Sequence, residues 1–222
     1  MENLLSKIDE MKNNLMLKDI DSIKKNKYKT ISTKDINNEY NDTINLYNYY
    51  VKLIKKVKKY LNTEEVVIFE VKKHTNRNLV CLMTKLNTNE IEIFMKIDIR
   101  VLTGNTKDTY MNCTYYNIKN EGMLYINEFS SGKPNNGYGK IILENLEYIV
   151  SNINRKLDLY NHYFEDYTFK YINRIEGIAI PYKSIISQES LNKIYRKYKF
   201  EVDEKNNMKI IKYINCKELI CN

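Results

Sequence analysis

The fold is decided by one stretch of the chain, residues 123–142, which reads MLYINEFSSGKPNNGYGKII. Its first part is rich in apolar and aromatic residues and suits a strand, and its last residues begin a series of apolar positions at helical spacing. The chain has only six glycines, and three of them, Gly132, Gly137 and Gly139, lie between these two parts. Because glycine adopts backbone conformations that other residues avoid, this clustering predicts a specifically shaped loop where a strand passes into a helix.

Such a loop is suited to binding a phosphate group. The N-terminus of a helix exposes unpaired N–H groups and a partial positive charge, and glycines let the backbone approach an anion closely. Two common phosphate-binding loops are excluded by their spacing. A Walker A loop requires Lys at the position of Tyr138, and a Rossmann loop requires Gly at the position of Ile142.

The pattern on the two sides of the loop differs. Before it, short apolar runs separated by polar turn residues predict an antiparallel series of strands, at 66–71, 79–83, 91–102, 110–118 and 123–129. After it, helical and strand patterns alternate. They predict a helical stretch from Ile141 to about Tyr171, a strand at 175–180, a helix around 188–198 and a strand at 208–214.

The N-terminal region, residues 1–62, reads as polar and helical. Apolar residues at helical spacing between Leu4 and Leu15 predict one amphipathic helix. A second, longer helix has a cap at Ser32 to Asp35 and an apolar face that reaches Leu61. We therefore predict a helical segment, 1–62, packed on a core, 63–222. The expected fold class is α/β, with a mixed, mostly antiparallel sheet flanked by helices.

The glycine loop resembles the acyl-CoA loop of the GNAT acetyltransferases. That loop usually has Arg or Gln, two residues of any kind, Gly, one further residue, and Gly or Ala, at a strand-to-helix junction. Residues 134–139 match both small positions with Gly137 and Gly139, and they depart at the first, where Pro134 stands. Phe129 lies eight residues before Gly137, where the family usually has a β-branched residue at the end of its fourth strand.

A second segment, from Gln188 to Phe200, resembles a later helix of the same family. The usual pattern there is NxxAxxxYxxxGF, and Tyr195 and Phe200 are in register with it. Gln188 replaces the Asn, Leu191 the Ala and Lys199 the Gly. The two motifs stand in the family's order, and the resemblance covers roughly residues 110–214.

The resemblance implies an N-acetyltransferase that moves an acetyl group from acetyl-CoA to an amine acceptor. The sequence shows no metal-ligand spacing and no nucleophile motif, so we expect direct transfer in a ternary complex, without a metal. It assigns cofactor contacts to the strand end, the loop and the start of the later helix: Phe129, Ser130, Ser131, Asn135, Asn136, Gly137, Tyr138, Gly139, Lys140 and Gln188. Backbone N–H groups of 135–140 would bind the pyrophosphate, and the backbone of 129–131 would bind the pantetheine arm or the acyl carbonyl. A protein or a small molecule could be the acceptor.

The resemblance also implies catalytic residues. Tyr195 matches the tyrosine that often protonates the departing sulfur, although on its own it would read as a core aromatic. Glu128 and Glu176 are the candidates for the base by position, and each has an even chance of facing solvent, because a strand alternates its faces. His74 and His162 could also act as bases, but surface or hydrogen-bonded histidines are commoner.

Composition leaves two other functions open. The formal charge is +8, yet only five of the 36 basic residues are Arg, the side chain best suited to phosphate and base contacts. An AT-rich genome explains much of the Lys, Asn and Tyr usage, and these observations argue against nucleic acid as a partner. The alternatives are a GNAT-like scaffold without catalysis and a basic protein that stacks bases on its tyrosines. A homodimer is also open.

The remaining features point to an intracellular protein without a metal site. The four cysteines show no CxxC pair and no His at zinc-ligand spacing, so we expect reduced thiols. No apolar run approaches the ~18–20 residues of a membrane helix. No signal peptide is recognisable at the N-terminus. We expect a cytoplasmic location.

Overall fold

The computed structural model describes residues 33–61, 65–74, 78–87, 94–105, 107–118, 120–132, 135–163, 168–182 and 185–215. The helix predicted near the N-terminus, the cap at Ser32, the loop residues Lys133 and Pro134, and the cysteines at 216 and 221 lie outside these residues.

The described residues form helices and strands in the following order along the chain. The helices are α1 Thr33–Leu61, α2 Tyr138–Glu144, α3 Leu146–Tyr163 and α4 Gln188–Lys197. The strands are β1 Glu65–Lys73, β2 Leu79–Asn87, β3 Phe94–Leu102, β4 Thr109–Ile118, β5 Glu121–Ser130, β6 Ile172–Ile178, β7 Glu201–Val202 and β8 Lys209–Tyr213.

The strands form one sheet in the order β1-β2-β3-β4-β5-β6-β8-β7. Neighbouring strands are antiparallel except β5 and β6, which run parallel. A parallel pair needs a crossover connection, and here α2 and α3 provide it. The predicted α/β class, with a mostly antiparallel sheet and a helix before it, is confirmed.

Helices pack against both faces of the sheet at β2, because successive side chains of β2 point to opposite faces. Val80, Leu82 and Leu86 belong to the large core that includes α2 and α3. Cys81 and Met83 point the other way and join a smaller core with α1. Since successive side chains of a strand alternate between faces, one strand supports two helical layers. From α1, the smaller core receives Tyr49, Tyr50, Leu53 and Val57.

The long helical stretch predicted after the loop differs from the structure in two ways. Asn145 separates α2 from α3, but its N–H donates to the Ile141 carbonyl and its own carbonyl accepts from the N–H of Ile149, so the two helices are nearly continuous. The predicted end near Tyr171 is wrong, because α3 ends at Tyr163.

Hydrogen bonds to side chains explain why residues 168–170, just before β6, are not helical. The N–H of Phe169 donates to Asn161 Oδ1 at 2.6 Å, and the N–H of Lys170 donates to Asn117 Oδ1 at 3.1 Å. These N–H groups therefore bond to side chains instead of helix carbonyls. β6 itself begins and ends earlier than the predicted 175–180; its last pairing with β8 joins Ile178 to Lys209.

Candidate functional site

A cleft opens where β5 and β6 separate. Their parallel pairing runs from Gly122 and Ile172 to Ile126 and Gly177, whereas β5 continues to Ser130. In its pairing with β4, β5 carries a bulge at Asn127, and a bulge bends its strand and increases the local twist. Beyond this point lies a cleft of ≈ 610 Å³. That size is typical of pockets for small molecules.

Three elements enclose the cleft besides the two strand ends. The start of α2 forms one wall, α4 forms another, and the segment after β6 forms the rim. Most of the lining is apolar, with the charged side chains of Glu128, Lys140 and Lys197 among it. The apolar lining includes Ile126, Phe129, Leu143, Ile178, Ile180, Leu191 and Ile194.

The loop at the start of α2 has the backbone shape that its sequence predicts. Gly137 is the residue before the first turn of α2 and has φ 74°, in the left-handed region, where a side chain is unfavourable. Asn135 also lies in this region, with φ 63°, and Asn tolerates it better than most residues. At Gly139, a Cβ atom would lie 3.2 Å from Phe129 Cζ, so glycine permits the helix to approach the end of β5.

A buried histidine supports this loop from the side of β1. His74 directly follows β1, and its Nε2 lies 2.6 Å from the carbonyl oxygen of Asn136. Its ring packs on the ring of Tyr138 with centroids 4.5 Å apart. His74 Nε2 therefore donates to the loop, which fits a hydrogen-bonded core histidine rather than a base. His162 lies exposed on α3, against Tyr163.

Tyr195 lies inside the cleft. It is 5% exposed, lines the cleft from α4 and packs edge-on against Phe200, at a centroid distance of 5.3 Å. Burial raises the pKa of Tyr195 to about 12. Its phenol consequently stays protonated at neutral pH and can act as a hydrogen-bond donor.

The structure separates the two glutamates that the sequence offers as bases. Glu128 lines the cleft, and the hydroxyl of Tyr110 donates to its Oε1 at 2.5 Å. Glu176 is not among the residues that line the cleft. Its carboxylate is 14% exposed and forms ion pairs with Arg174 at 3.1 Å and Lys209 at 3.5 Å. The hydrogen bond to Glu128 also raises the pKa of Tyr110.

The other predicted contact residues fall into two groups. Phe129, Ser131, Asn135, Gly137, Gly139 and Lys140 line the cleft, whereas Ser130, Asn136, Tyr138 and Gln188 are not among its lining residues. Gln188 Nε2 instead donates to the carbonyl oxygen of Ala179 at 3.0 Å and to Asn192 Oδ1 at 2.9 Å. The Tyr138 side chain is buried, and its hydroxyl accepts from Asn105.

No group of three or more His, Cys, Asp or Glu side chains suited to a metal ion occurs in the described residues. Cys81 and Cys113 are buried and unbridged, and burial raises the pKa of both thiols. Over the same residues, no helix combines the length and the apolar character needed to span a membrane.

The sequence analysis missed three residues in the roles that the structure gives them. Asn127 forms the bulge, Tyr110 donates to Glu128, and His74 supports the loop. Asn127 occupies the bulge, and its Nδ2 donates to Thr114 Oγ1 at 2.7 Å. A bulge depends on the register between two strands, which a local sequence pattern does not specify. Tyr110 and His74 likewise depend on contacts between distant residues.

Comparison of the chain with protein-family models, with curated proteins and with solved structures found no match.

Proposed function

We propose that the protein is an N-acetyltransferase that transfers the acetyl group of acetyl-CoA directly to an amine. The observation that carries the proposal is the cleft at the end of the parallel β5–β6 pairing, where the glycine loop, Glu128 and Tyr195 meet. The two GNAT-like motifs of the sequence lie on different walls of this cleft, because the loop precedes α2 and Tyr195 lies on α4.

The cleft offers different chemistry along its length, which fits an elongated thioester substrate. Backbone N–H groups that follow Gly137, with Lys140 beside them, suit a pyrophosphate. The apolar wall formed by Ile126, Phe129 and Leu191 suits an alkyl amide arm. Residues 127–130 of β5 have no pairing with β6, so their backbone groups on that side can bond to the amides of the arm.

Glu128 is the base in this proposal. Its carboxylate lies at the cleft and accepts a hydrogen bond from Tyr110, which orients it. An amine must lose a proton to attack a carbonyl carbon, and a positioned carboxylate can accept that proton. A carbon–nitrogen bond then forms, the carbon–sulfur bond breaks, and the electron pair leaves with the sulfur.

Tyr195 serves the leaving group. Because burial raises the pKa of Tyr195 to about 12, its O–H is present throughout the neutral range and can hydrogen-bond the thiolate. Full proton transfer to a thiolate, whose pKa is near 8.5 in a free Cys, is uphill from such a phenol. Stabilisation of the anion by a hydrogen bond is therefore the role that its environment favours, and water can complete the protonation.

Calorimetric titration with acetyl-CoA and with coenzyme A tests the proposal. We expect saturable binding of both by the unsubstituted protein. The matched variants are Gly137→Glu and Gly137→Gln, which introduce side chains of similar size at the same left-handed residue. Both carry the same backbone strain, but only Glu places a negative charge at the pyrophosphate site. Binding should therefore be weaker in Gly137→Glu than in Gly137→Gln.

The outcomes are distinct. Equal affinities in the two variants would place the pyrophosphate elsewhere. Failure of the folded, unsubstituted protein to bind either molecule would overturn the proposal and direct attention to the two alternatives, a scaffold without catalysis and a nucleic-acid-binding protein. For the latter, the affinity for nucleic acid should fall steeply with salt.

A further inference from the structure

The carboxylate of Glu128 is held at an exposed position by a hydrogen bond from Tyr110. Glu128 lies on the part of β5 that has no pairing with β6, and its side chain is exposed. Within the described part of the chain, the Tyr110 hydroxyl is the one polar group bonded to this carboxylate. An exposed glutamate can adopt several rotamers, and holding one of them costs side-chain entropy. The orientation of Glu128 therefore depends on how firmly Tyr110 itself is held.

Tyr110 is held from the neighbouring strand by Arg100. The two residues are direct partners on β4 and β3, so their side chains share a face of the sheet. Arg100 Cζ lies 5.6 Å from the centre of the Tyr110 ring, within the range of a cation–π attraction. The hydrogen bond to Glu128 raises the pKa of Tyr110, and the charge of Arg100 opposes this rise. The cation thus acts on the same phenol that donates to Glu128.

Contacts with Asp98, Tyr60 and Tyr110 fix the guanidinium of Arg100. Its Nε binds Asp98 Oδ2 at 2.6 Å, and its Nη1 donates to the hydroxyl of Tyr60, in the last turn of α1, at 2.7 Å. A guanidinium is planar and presents its donors in a fixed fork, so these contacts also fix its orientation over the Tyr110 ring. A chain of contacts therefore leads from α1 through Arg100 and Tyr110 to Glu128 at the cleft.

We propose that Arg100 is a positioning residue for Glu128 and acts through Tyr110. An ion pair that served the sheet alone would need only Asp98, whereas this guanidinium also packs on the tyrosine that donates to the cleft glutamate. Without the guanidinium, the Tyr110 ring can leave its position and the carboxylate loses its hydrogen bond. The inference rests on the proposed acetyl transfer for the role of Glu128 as the base, but the chain of contacts can be measured without any substrate.

A double-mutant cycle read by NMR tests the chain of contacts. Tyrosine is isotope-labelled at Cζ, and Tyr110→Phe assigns the Tyr110 signal. Glu128→Leu removes the acceptor, so it should move this signal in the otherwise unsubstituted protein and in Arg155→Met, the matched control on the exposed side of α3. In Arg100→Met, Glu128→Leu should leave the signal where it is, because the hydrogen bond is already lost. Asp98→Asn/Arg100→Met, which leaves no unpaired carboxylate, should behave in the same way if Arg100→Met alone does not fold.

The NMR results separate the possibilities. An equal response to Glu128→Leu with and without the guanidinium overturns the inference, because Tyr110 then keeps its bond without Arg100. No response in the otherwise unsubstituted protein overturns it as well, since the Tyr110 hydroxyl then does not bond to Glu128 in solution.

Kinetics of thiol release from acetyl-CoA, with ethylamine as the amine, test the consequence for turnover. Arg100→Met should lower kcat roughly 3- to 10-fold, as for the loss of one hydrogen bond, and leave the KM for acetyl-CoA within about twofold. Tyr110→Phe should have the same effect, and the double variant should lose no more than either single variant, because both act on one bond. Arg155→Met should change neither constant.

Failure of this inference and failure of the proposed function give different results. Unchanged kcat in a folded Arg100→Met protein, or additive losses in the double variant, contradict the role of Arg100 alone. Failure of the unsubstituted protein to bind acetyl-CoA in calorimetry contradicts the proposed function, and the NMR cycle still decides whether Arg100 holds Tyr110 against Glu128.

Discussion

The imidazole of His74 stacks on the ring of Tyr138, with centroids 4.5 Å apart. His74 follows the sheet's edge strand, and Tyr138 is the first residue of α2, so this contact ties the end of β1 to the glycine loop. The histidine is 6% exposed, and its Nε2 bonds to the carbonyl of Asn136 within the loop. The loop is therefore held by a residue more than 60 positions earlier in the chain, as well as by its own glycines.

His74→Phe should weaken coenzyme A binding. The substitution keeps an aromatic ring against Tyr138 but removes the hydrogen bond to the Asn136 carbonyl. One such bond contributes about 1 kcal/mol, so we expect the dissociation constant to rise roughly 3- to 10-fold. Calorimetry measures the change, and His162→Phe, on the exposed side of α3, is the control. Unchanged affinity in a folded His74→Phe protein would show that the loop does not depend on this histidine.

The sheet could be predicted from the sequence because its strands are locally readable. Short apolar runs with turn residues between them identified β1 to β5, and the glycine-rich connection identified the change to a helix. Boundaries that depend on distant partners were less predictable. The end of α3 is an example, because the N–H of Phe169 bonds to the Asn161 side chain.

For the candidate site, too, the sequence predicted the residues that belong to local motifs but not those that depend on distant partners. The glycine positions and Tyr195 belong to motifs with fixed local spacing, so the sequence alone singled them out. The choice between Glu128 and Glu176 required the sheet, because it depends on where β5 loses its partner. The alignment of Lys85, Asp98, Asn112 and Glu128 across β2 to β5 required the register of four strands, which no local pattern supplies.

Leu53→Ala in α1 should destabilise the whole sheet. Leu53 is fully buried in the smaller core between α1 and β2. Truncation of a buried leucine costs about 2–5 kcal/mol through lost burial and the cavity left behind. Tyr47→Ala, at a position 63% exposed on the same helix, is the control and should change little. Denaturant unfolding measures both. A small effect at Leu53 would show that α1 packs loosely on the core.

Glu128→Gln should remove turnover while leaving acetyl-CoA affinity unchanged. The amide retains a hydrogen-bond acceptor for Tyr110 but cannot take a proton from the amine, so we expect a loss of about 10²–10⁴-fold. Glu176→Gln should retain turnover, because Glu176 is engaged with Arg174 and Lys209 away from the cleft lining. Release of free thiol from acetyl-CoA reports turnover. The reverse order of effects would assign the base to Glu176.

Tyr195→Phe should lower turnover by about tenfold or more and leave coenzyme affinity within about twofold, because the hydroxyl acts only when sulfur departs. In the unsubstituted protein, turnover should not fall through ionisation of Tyr195 until the pH approaches its pKa of about 12. Equal losses of affinity and turnover would indicate that the tyrosine contributes to packing in the cleft wall and has no separate role at the leaving group.

The same substitution gives a second measurement that does not depend on any substrate. Burial raises the pKa of Tyr195 from its ordinary value of 10.0 to about 12, so the fold favours the neutral phenol over the phenolate. That contribution is complete below pH 10 and is lost as the pH rises through about 12. Below pH 9, the free energies of unfolding of the unsubstituted protein and of Tyr195→Phe should therefore change with pH in parallel. Between pH 10 and 12 the unsubstituted protein should, relative to the variant, lose up to about 2–3 kcal/mol of unfolding free energy.

Tyr49, whose pKa burial also raises to about 12, is present in both proteins and cancels in the difference. Parallel stability curves over this range would mean that Tyr195 is open to solvent.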